Sequence, residues 1–136
     1  MLTITSHVNK CKENGSPAEI EKCDFNSNET MPVNQYKKYV VLCARIHPGE
    51  SNSSYIMQGL IDYLTGNSPE AIDLRRKIVF KILPMTNPDG VIAGNYRTSL
   101  SGNDLNRQFM HPNIKLHPEV IALRSLISAI TIKAKE

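Results

Sequence analysis

The chain has 136 residues, of which 40% are hydrophobic and 21% charged, and its formal net charge is +3. A chain of this size and hydrophobic content forms one ordinary domain or part of a larger one. The mild charge, the absence of tryptophan and the lack of a basic run mixed with aromatic residues exclude a nucleic-acid-binding platform, and no stretch approaches the ~20 apolar residues of a membrane span.

The first third of the chain predicts two strands separated by a polar insertion. Residues 2–5 are rich in β-branched side chains, which favour a strand. Residues 7–36 are mostly polar and follow a period of neither 2 nor 3.6, so we expect a disordered insertion there. Residues 38–46 form the second predicted strand, and its unbroken apolar middle predicts burial on both faces.

The middle of the chain alternates helical and strand patterns. Apolar residues recur at helical spacing over residues 51–65, and a second short helix is predicted over residues 68–76, with proline in its first turn. A third strand is predicted over residues 78–85. The tetrapeptide after it has the composition of a turn, Asn87-Pro88-Asp89-Gly90.

The last third of the chain begins with a long irregular stretch over residues 91–116, followed by a helix that starts at His117. Irregular stretches of this length inside a compact domain are uncommon and are often functional. The alternation of strands and helices predicts an α/β protein with about three strands and three helices.

The cysteines and the amino terminus indicate the compartment. The three cysteines form no Cys-x-x-Cys pair, which favours a reducing environment. Cys43 lies in an apolar strand pattern and is expected to be a small buried hydrophobic residue. The first residues contain no apolar stretch long enough for a signal peptide. We therefore expect a cytoplasmic protein.

A candidate metal site follows the second predicted strand. His47 lies where the strand ends and Glu50 where a helix begins, with a proline and a glycine bending the chain between them. An imidazole and a carboxylate so placed could point at one ion, and both groups bind zinc. The same pattern also fits a strand-end histidine and a glutamate that favours the helix dipole, so alone it leaves both open.

Two further groups lie in the long irregular stretch, Gly94-Asn95-Tyr96-Arg97 and Asp104-Leu105-Asn106-Arg107. The amide of Asn106 beside the guanidinium of Arg107 suits the binding of a carboxylate by parallel hydrogen bonds. Arg97 could place a fixed positive charge where a polarised carbonyl becomes an oxyanion. Taken singly, each arginine is also compatible with an ordinary surface charge.

In this order, the His-Pro-Gly-Glu, Asn-Pro-Asp-Gly, Gly-Asn-Tyr-Arg and Asp-Leu-Asn-Arg groups resemble the M14-type zinc metallocarboxypeptidases, and most closely their cytosolic carboxypeptidase branch. The resemblance covers nearly all of the chain outside residues 7–36. It implies that residues 1–136 are part of a catalytic domain, with a mixed sheet and helices on both faces.

The resemblance also implies roles for single residues. His47 and Glu50 match two of the three protein ligands of a catalytic Zn²⁺, and Arg97 matches the arginine that polarises the scissile carbonyl. Asn106 and Arg107 match the pair that holds the terminal carboxylate of the substrate. The implied activity is release of C-terminal residues, acidic ones such as glutamate, from protein tails such as those of tubulin.

The chain departs from the family pattern in two places. The third zinc ligand and the general-base glutamate have no counterpart here, so we expect the chain as given to be inactive by itself. His111 and His117 are the histidines that could be proposed as the third ligand, but both stand beside prolines, and His117 better fits a helix cap. The alternatives left open are an inactive remnant or binding module of the same fold, and an aspartoacylase-like amidohydrolase.

Overall fold

A computed structural model describes residues 1–5, 20–22 and 37–133. Its strands are β1 (Leu2–Ile4), β2 (Ile20–Lys22), β3 (Lys38–Cys43) and β4 (Ile78–Leu83). Its helices are α1 (Asn52–Thr65), α2 (Pro69–Lys77), α3 (Pro88–Ala93) and α4 (Pro118–Lys133), with a 3-10 turn at Leu105–Arg107. Within these ranges, no helix is both long and apolar enough to cross a membrane.

The strands form one sheet in the order β2-β1-β4-β3. β1 pairs antiparallel with β4, with Leu2 opposite Ile82, and antiparallel with β2, with Leu2 opposite Lys22. The sequence did not predict β2, which lies inside the expected insertion. The remainder of the insertion falls outside the described residues.

The position of β3 differs from the prediction. Its apolar run predicts burial on both faces, yet β3 lies at one edge of the described sheet and its residues are half-buried or exposed. Cys43, at its carboxyl end, is exposed instead of buried. β4 lies inside the sheet, and there Phe80 and Ile82 are buried at alternate positions, as a strand buried on one face requires.

The chain divides into two compact units, one comprising residues 1–42 and 57–83 and the other residues 43–56 and 84–136. In the first unit, the most deeply buried apolar side chains are Ile4, Leu64, Ala71 and Ile82. In the second, the buried apolar side chains are Ala44, Leu105, Val120 and Leu123. The candidate site residues all belong to the second unit.

The turn predicted at residues 87–90 is the start of the short helix α3. Asn87 caps α3 because its side-chain Oδ1 accepts a hydrogen bond from the backbone N of Gly90 at 3.0 Å. Pro88 occupies the first turn, where its missing N–H costs nothing. Gly94 ends the helix in the left-handed conformation with φ 74°, which glycine adopts without strain. A turn composition therefore encodes a six-residue helix that is capped at both ends.

Candidate metal and carboxylate site

The segments that follow β3 and β4 run side by side in the second unit. The backbone N of Thr86 donates to the carbonyl of Ala44 at 2.8 Å, and the N of Asn87 donates to the carbonyl of Arg45 at 3.2 Å. The partner numbers rise together, so both segments run in the same direction. The fully buried Asn87 also donates through Nδ2 to the carbonyl of Ile46 at 3.2 Å. The Asn-Pro-Asp-Gly group thus supports the turn that carries His47.

The turn from His47 to Glu50 is closed by its own backbone and by the segment around Tyr96. The N of Glu50 donates to the carbonyl of His47 at 3.2 Å, and the N of Gly49 donates to the carbonyl of Tyr96 at 2.7 Å. A Cβ at Gly49 would overlap the ring of Tyr96. Glycine is therefore required here by the close approach of Tyr96.

His47 lies between two carboxylates. Its Nδ1 is 2.9 Å from Oε1 of Glu50, and its Nε2 is 3.0 Å from Oδ1 of Asp104. The histidine is only 6% exposed, whereas the side chain of Glu50 is 53% exposed. The imidazole of His47 and the carboxylate of Glu50 therefore lie close together, as the sequence predicts for these two side chains.

The contacts of His47 suit a cation. A neutral imidazole carries one N–H, so it can donate to only one of the two carboxylates. If Nε2 donates to Asp104, the lone pair of Nδ1 faces the lone pairs of Glu50 at 2.9 Å. A metal ion that accepts the Nδ1 lone pair and a lone pair of the Glu50 carboxylate would satisfy both groups. The nitrogen and oxygen donors fit zinc.

Asp104 is a site residue that the sequence analysis did not assign. Its Oδ1 meets His47 Nε2 and accepts from the backbone N of Asn106 at 2.9 Å, and its Oδ2 accepts from Nε of Arg97 at 2.8 Å. Burial acts to raise the pKa of this carboxyl, but the hydrogen bonds and the charge of Arg97 outweigh it, so the pKa is lowered. The signal was its place directly before Leu105-Asn106-Arg107, where an aspartate can cap a turn.

Within the described residues, Arg97 is held at one nitrogen. Its Nε donates to Asp104, and its side chain is 44% exposed. Its two terminal nitrogens make no hydrogen bond to any residue that the structure describes. The guanidinium is thus oriented by Asp104 and still has donors free for a ligand.

Asn106 and Arg107 lie on the 3-10 turn that Asp104 caps. Leu105, which is fully buried, anchors this turn, while both Asn106 and Arg107 are exposed. Across the described ranges, neither side chain has a hydrogen-bond partner. Only the backbone connects them to Asp104, and no side-chain contact joins them to His47 or Glu50.

The predicted candidates for a third metal ligand find no support. His111 is exposed, and His117 is buried with its Nδ1 accepting from the backbone N of Asn113 at 3.0 Å. The carbonyl of His117 accepts the first helical bond of α4, from Ile121, as expected for the cap position. No three His, Cys, Asp or Glu side chains converge on a metal position in residues 1–5, 20–22 and 37–133. Asp104 does not make a third, because it meets the far nitrogen of His47.

Comparisons with known proteins point to one family. The profile of the zinc carboxypeptidase family matches residues 1–128. Mouse cytosolic carboxypeptidase 1 is 40% identical over 147 residues, covering 92% of this chain but 12% of the relative. A metallo-carboxypeptidase from Burkholderia cenocepacia superposes with a TM-score of 0.67 at 42% identity, over 69% of this chain and 26% of that one.

A second solved structure adds a ligand. The metallo-carboxypeptidase of Pseudomonas aeruginosa, in complex with (2-guanidinoethylmercapto)succinic acid, has a TM-score of 0.66 at 31% identity, over 71% of this chain and 26% of that one. The chain thus spans a small part of the length of the proteins it matches. A matching family profile over most of its residues and this mixed α/β fold show that the chain belongs to the zinc carboxypeptidases.

Proposed function

We propose that this chain supplies part of the active site of a cytoplasmic zinc carboxypeptidase that releases acidic C-terminal residues. His47 and Glu50 are the zinc ligands that the chain contributes. The observation that carries the proposal is the 2.9 Å approach of His47 Nδ1 to Glu50 Oε1, with the other nitrogen held by Asp104. Bound there, zinc would acidify a water molecule and polarise the scissile carbonyl.

The remaining site residues handle the substrate. Arg97, oriented through Nε by Asp104, has terminal N–H groups available for the oxyanion that forms on the scissile carbonyl. Asn106 and Arg107 are exposed and hold the terminal carboxylate of the substrate, because the planar guanidinium matches a carboxylate with two parallel bonds. This requirement for a free carboxylate restricts cleavage to the last residue.

The preference for acidic residues is the finer part of the proposal. Arg97 and Arg107 supply positive charge in the second unit, and both have N–H groups that bind no described residue, which favours an acidic peptide. The relatives named cytosolic carboxypeptidases support a cytoplasmic site of action, and tails such as those of tubulin are suitable substrates.

A binding module is the second candidate. It is favoured by the lack of a third metal donor in the described parts of the chain. In that case Asn106 and Arg107 would bind a terminal carboxylate without cleavage.

The test uses the full-length gene product, measuring zinc content, zinc affinity by chelator competition and release of glutamate from a glutamate-tailed peptide. We expect His47→Ala and Glu50→Gln to lose bound zinc, while His111→Ala keeps it. Zinc bound equally by the wild type and by His47→Ala would overturn the metal assignment. Peptide binding without any glutamate release in the zinc-loaded protein would favour the binding module.

The proposed roles of Arg97 and Arg107 predict different effects on kcat and KM. Arg107→Ala should raise KM and abolish the preference for a free over an amidated C-terminus. Arg97→Ala should lower kcat by about 10²–10³, the usual effect of removing an oxyanion donor. Arg124→Ala, an exposed arginine on α4, is the control and should leave both constants unchanged. Equal cleavage of free and amidated peptides by the wild type would contradict the role of Arg107.

A further inference from the structure

Arg45, two residues before the turn from His47 to Glu50, has an unusual backbone conformation. Its φ is 57°, and no other non-glycine residue in the described ranges has a positive φ. The left-handed region crowds the Cβ of an L-residue against its own backbone, so a bulky residue stays there only when its surroundings hold it. Glycine would take this conformation without strain.

The backbone of Arg45 is held on both sides. Its carbonyl accepts from the N of Asn87 at 3.2 Å. Its N donates to Oγ of Ser53 at 3.1 Å, and that same hydroxyl donates to the carbonyl of Glu50 at 2.8 Å. The hydroxyl of Ser53 therefore connects the backbone of Arg45 to the backbone of Glu50, the second proposed zinc ligand.

The side chain of Arg45 folds back across the turn. Its Nε donates to the carbonyl of Pro48 at 2.8 Å, and its Nη1 donates to Oγ of Ser54 at 2.9 Å. These acceptors lie on either side of Glu50 in the chain. The half-buried guanidinium thus bonds to the middle of the turn and to the start of α1 at once. Only arginine carries two N–H groups in a rigid fork that can reach two such acceptors.

We propose that Arg45 is a positioning residue for the metal site: its left-handed backbone and its guanidinium together hold the turn so that His47 and Glu50 converge. The strain is kept because glycine, which would remove it, cannot supply the two side-chain bonds. This inference rests on the proposed zinc site for its functional consequence. The ordering of the turn by Arg45 stands independently of zinc.

The test compares Arg45→Gly and Arg45→Lys with Arg124→Ala as control, in the full-length gene product. Three quantities are measured: the free energy of unfolding, zinc affinity by chelator competition, and hydrogen exchange without metal at the amides of Gly49 and Glu50. Arg45→Gly relieves the strained φ and removes the two hydrogen bonds that the guanidinium donates to Pro48 and Ser54. We expect unfolding free energy no lower than that of the wild type, faster exchange in the turn, and zinc affinity weaker by about 10-fold or more, as for other residues that orient metal ligands.

Arg45→Lys keeps the charge but replaces the rigid fork by a single flexible nitrogen, so its loss of zinc affinity should be smaller than that of Arg45→Gly. If Arg45→Gly does not fold, Ser54→Ala removes the Nη1 acceptor without changing the backbone of residue 45, and it should also weaken zinc binding.

If hydrogen exchange at Gly49 and Glu50 is unchanged in Arg45→Gly, Arg45 does not hold the turn. If hydrogen exchange becomes faster but zinc affinity stays at the wild-type value, Arg45 holds the turn without strengthening zinc binding. If the wild type and His47→Ala bind zinc equally, the proposed function fails, and the exchange rates alone decide whether Arg45 holds the turn.

Discussion

Asp104 shows how one side chain can fix several groups of a site. Its two oxygens meet the imidazole of His47, the guanidinium of Arg97 and the backbone of Asn106. A carboxylate on the far nitrogen of a metal-binding histidine sets its tautomer and its ring orientation. Asp104 therefore orients a proposed zinc ligand and the arginine proposed to stabilise the oxyanion together.

Replacing this carboxylate should weaken zinc binding even though Asp104 is not a ligand. We expect Asp104→Asn to lower zinc affinity by about 10- to 100-fold, because the amide offers one acceptor oxygen where the carboxylate offers two. Chelator competition measures the change. Asp73→Asn is the matched control, since Asp73 pairs with Lys77 at 2.6 Å on the exposed side of α2. An Asp104→Asn protein that binds zinc as the wild type does would show that the contact orients nothing.

Substitution of Gly90 would test how closely α3 packs against the turn from His47 to Glu50. A Cβ at this position would lie 2.5 Å from Cγ of Pro48 and 2.7 Å from the backbone oxygen of Thr98. The backbone cannot yield as a flexible side chain would, so we expect Gly90→Ala to lower the free energy of unfolding by about 1–3 kcal/mol. Urea denaturation followed by circular dichroism measures it. A stabilised Gly90→Ala protein would mean that Pro48 and Thr98 do not pack as described.

At the scale of the elements, Gly59 in α1 is the counterpart of Gly90 for the same glycine-to-alanine substitution. Gly59 is exposed in the middle of α1, and a Cβ there would meet nothing within 4 Å. Glycine inside a helix is less favourable than alanine, so Gly59→Ala should raise the free energy of unfolding by about 0.5–1 kcal/mol. The same denaturation experiment applies. Because Gly59→Ala and Gly90→Ala are the same chemical change, opposite signs isolate the effect of local packing.

Side chains also cap the carboxyl end of α1 and the amino end of α2. Ser68 caps α2 through Oγ, which accepts from the N of Ala71 at 3.2 Å, and basic residues occupy the last turn of α2, where they favour the helix dipole. Arg75 from that helix is buried and donates to the carbonyls of Leu64 and Gly66 at the end of α1. A charged side chain thus satisfies carbonyls that a helix end leaves without partners.

At the scale of the whole molecule, much apolar surface is exposed. Among the described residues, large hydrophobic side chains are exposed on α1 and α4 and in the segment before α4, including Tyr55, Ile56, Met110, Ile114 and Ile132. β3, an apolar strand, lies at an edge of the described sheet. Exposed apolar patches and open strand edges promote association.

The 136-residue chain expressed by itself should therefore associate. We expect a sedimentation coefficient that rises with protein concentration and strong binding of a hydrophobic dye such as ANS. A monomer with a sharp thermal transition independent of concentration would contradict this. Arg124→Ala is a suitable control, because it changes exposed charge on α4 without changing its apolar residues.

The sequence by itself determined the mixed α/β class, the positions of β1, β3, β4, α1, α2 and α4 to within a few residues, and the family. These follow from hydrophobic periodicity, helix caps and short motifs, which are local properties of the chain. The convergence of His47 with Glu50 was also predictable, since three residues and a Pro-Gly bend separate them.

The tertiary structure alone decided the rest. Burial of β3 depends on which strand lies beside it, and the three-residue β2 has no pattern that reveals it. The role of Asp104 depends on a contact across 57 positions of sequence, and the left-handed Arg45 depends on acceptors at Pro48 and Ser54. Periodicity reports which side of an element is apolar, whereas a long-range hydrogen bond exists only after folding has brought its two partners together.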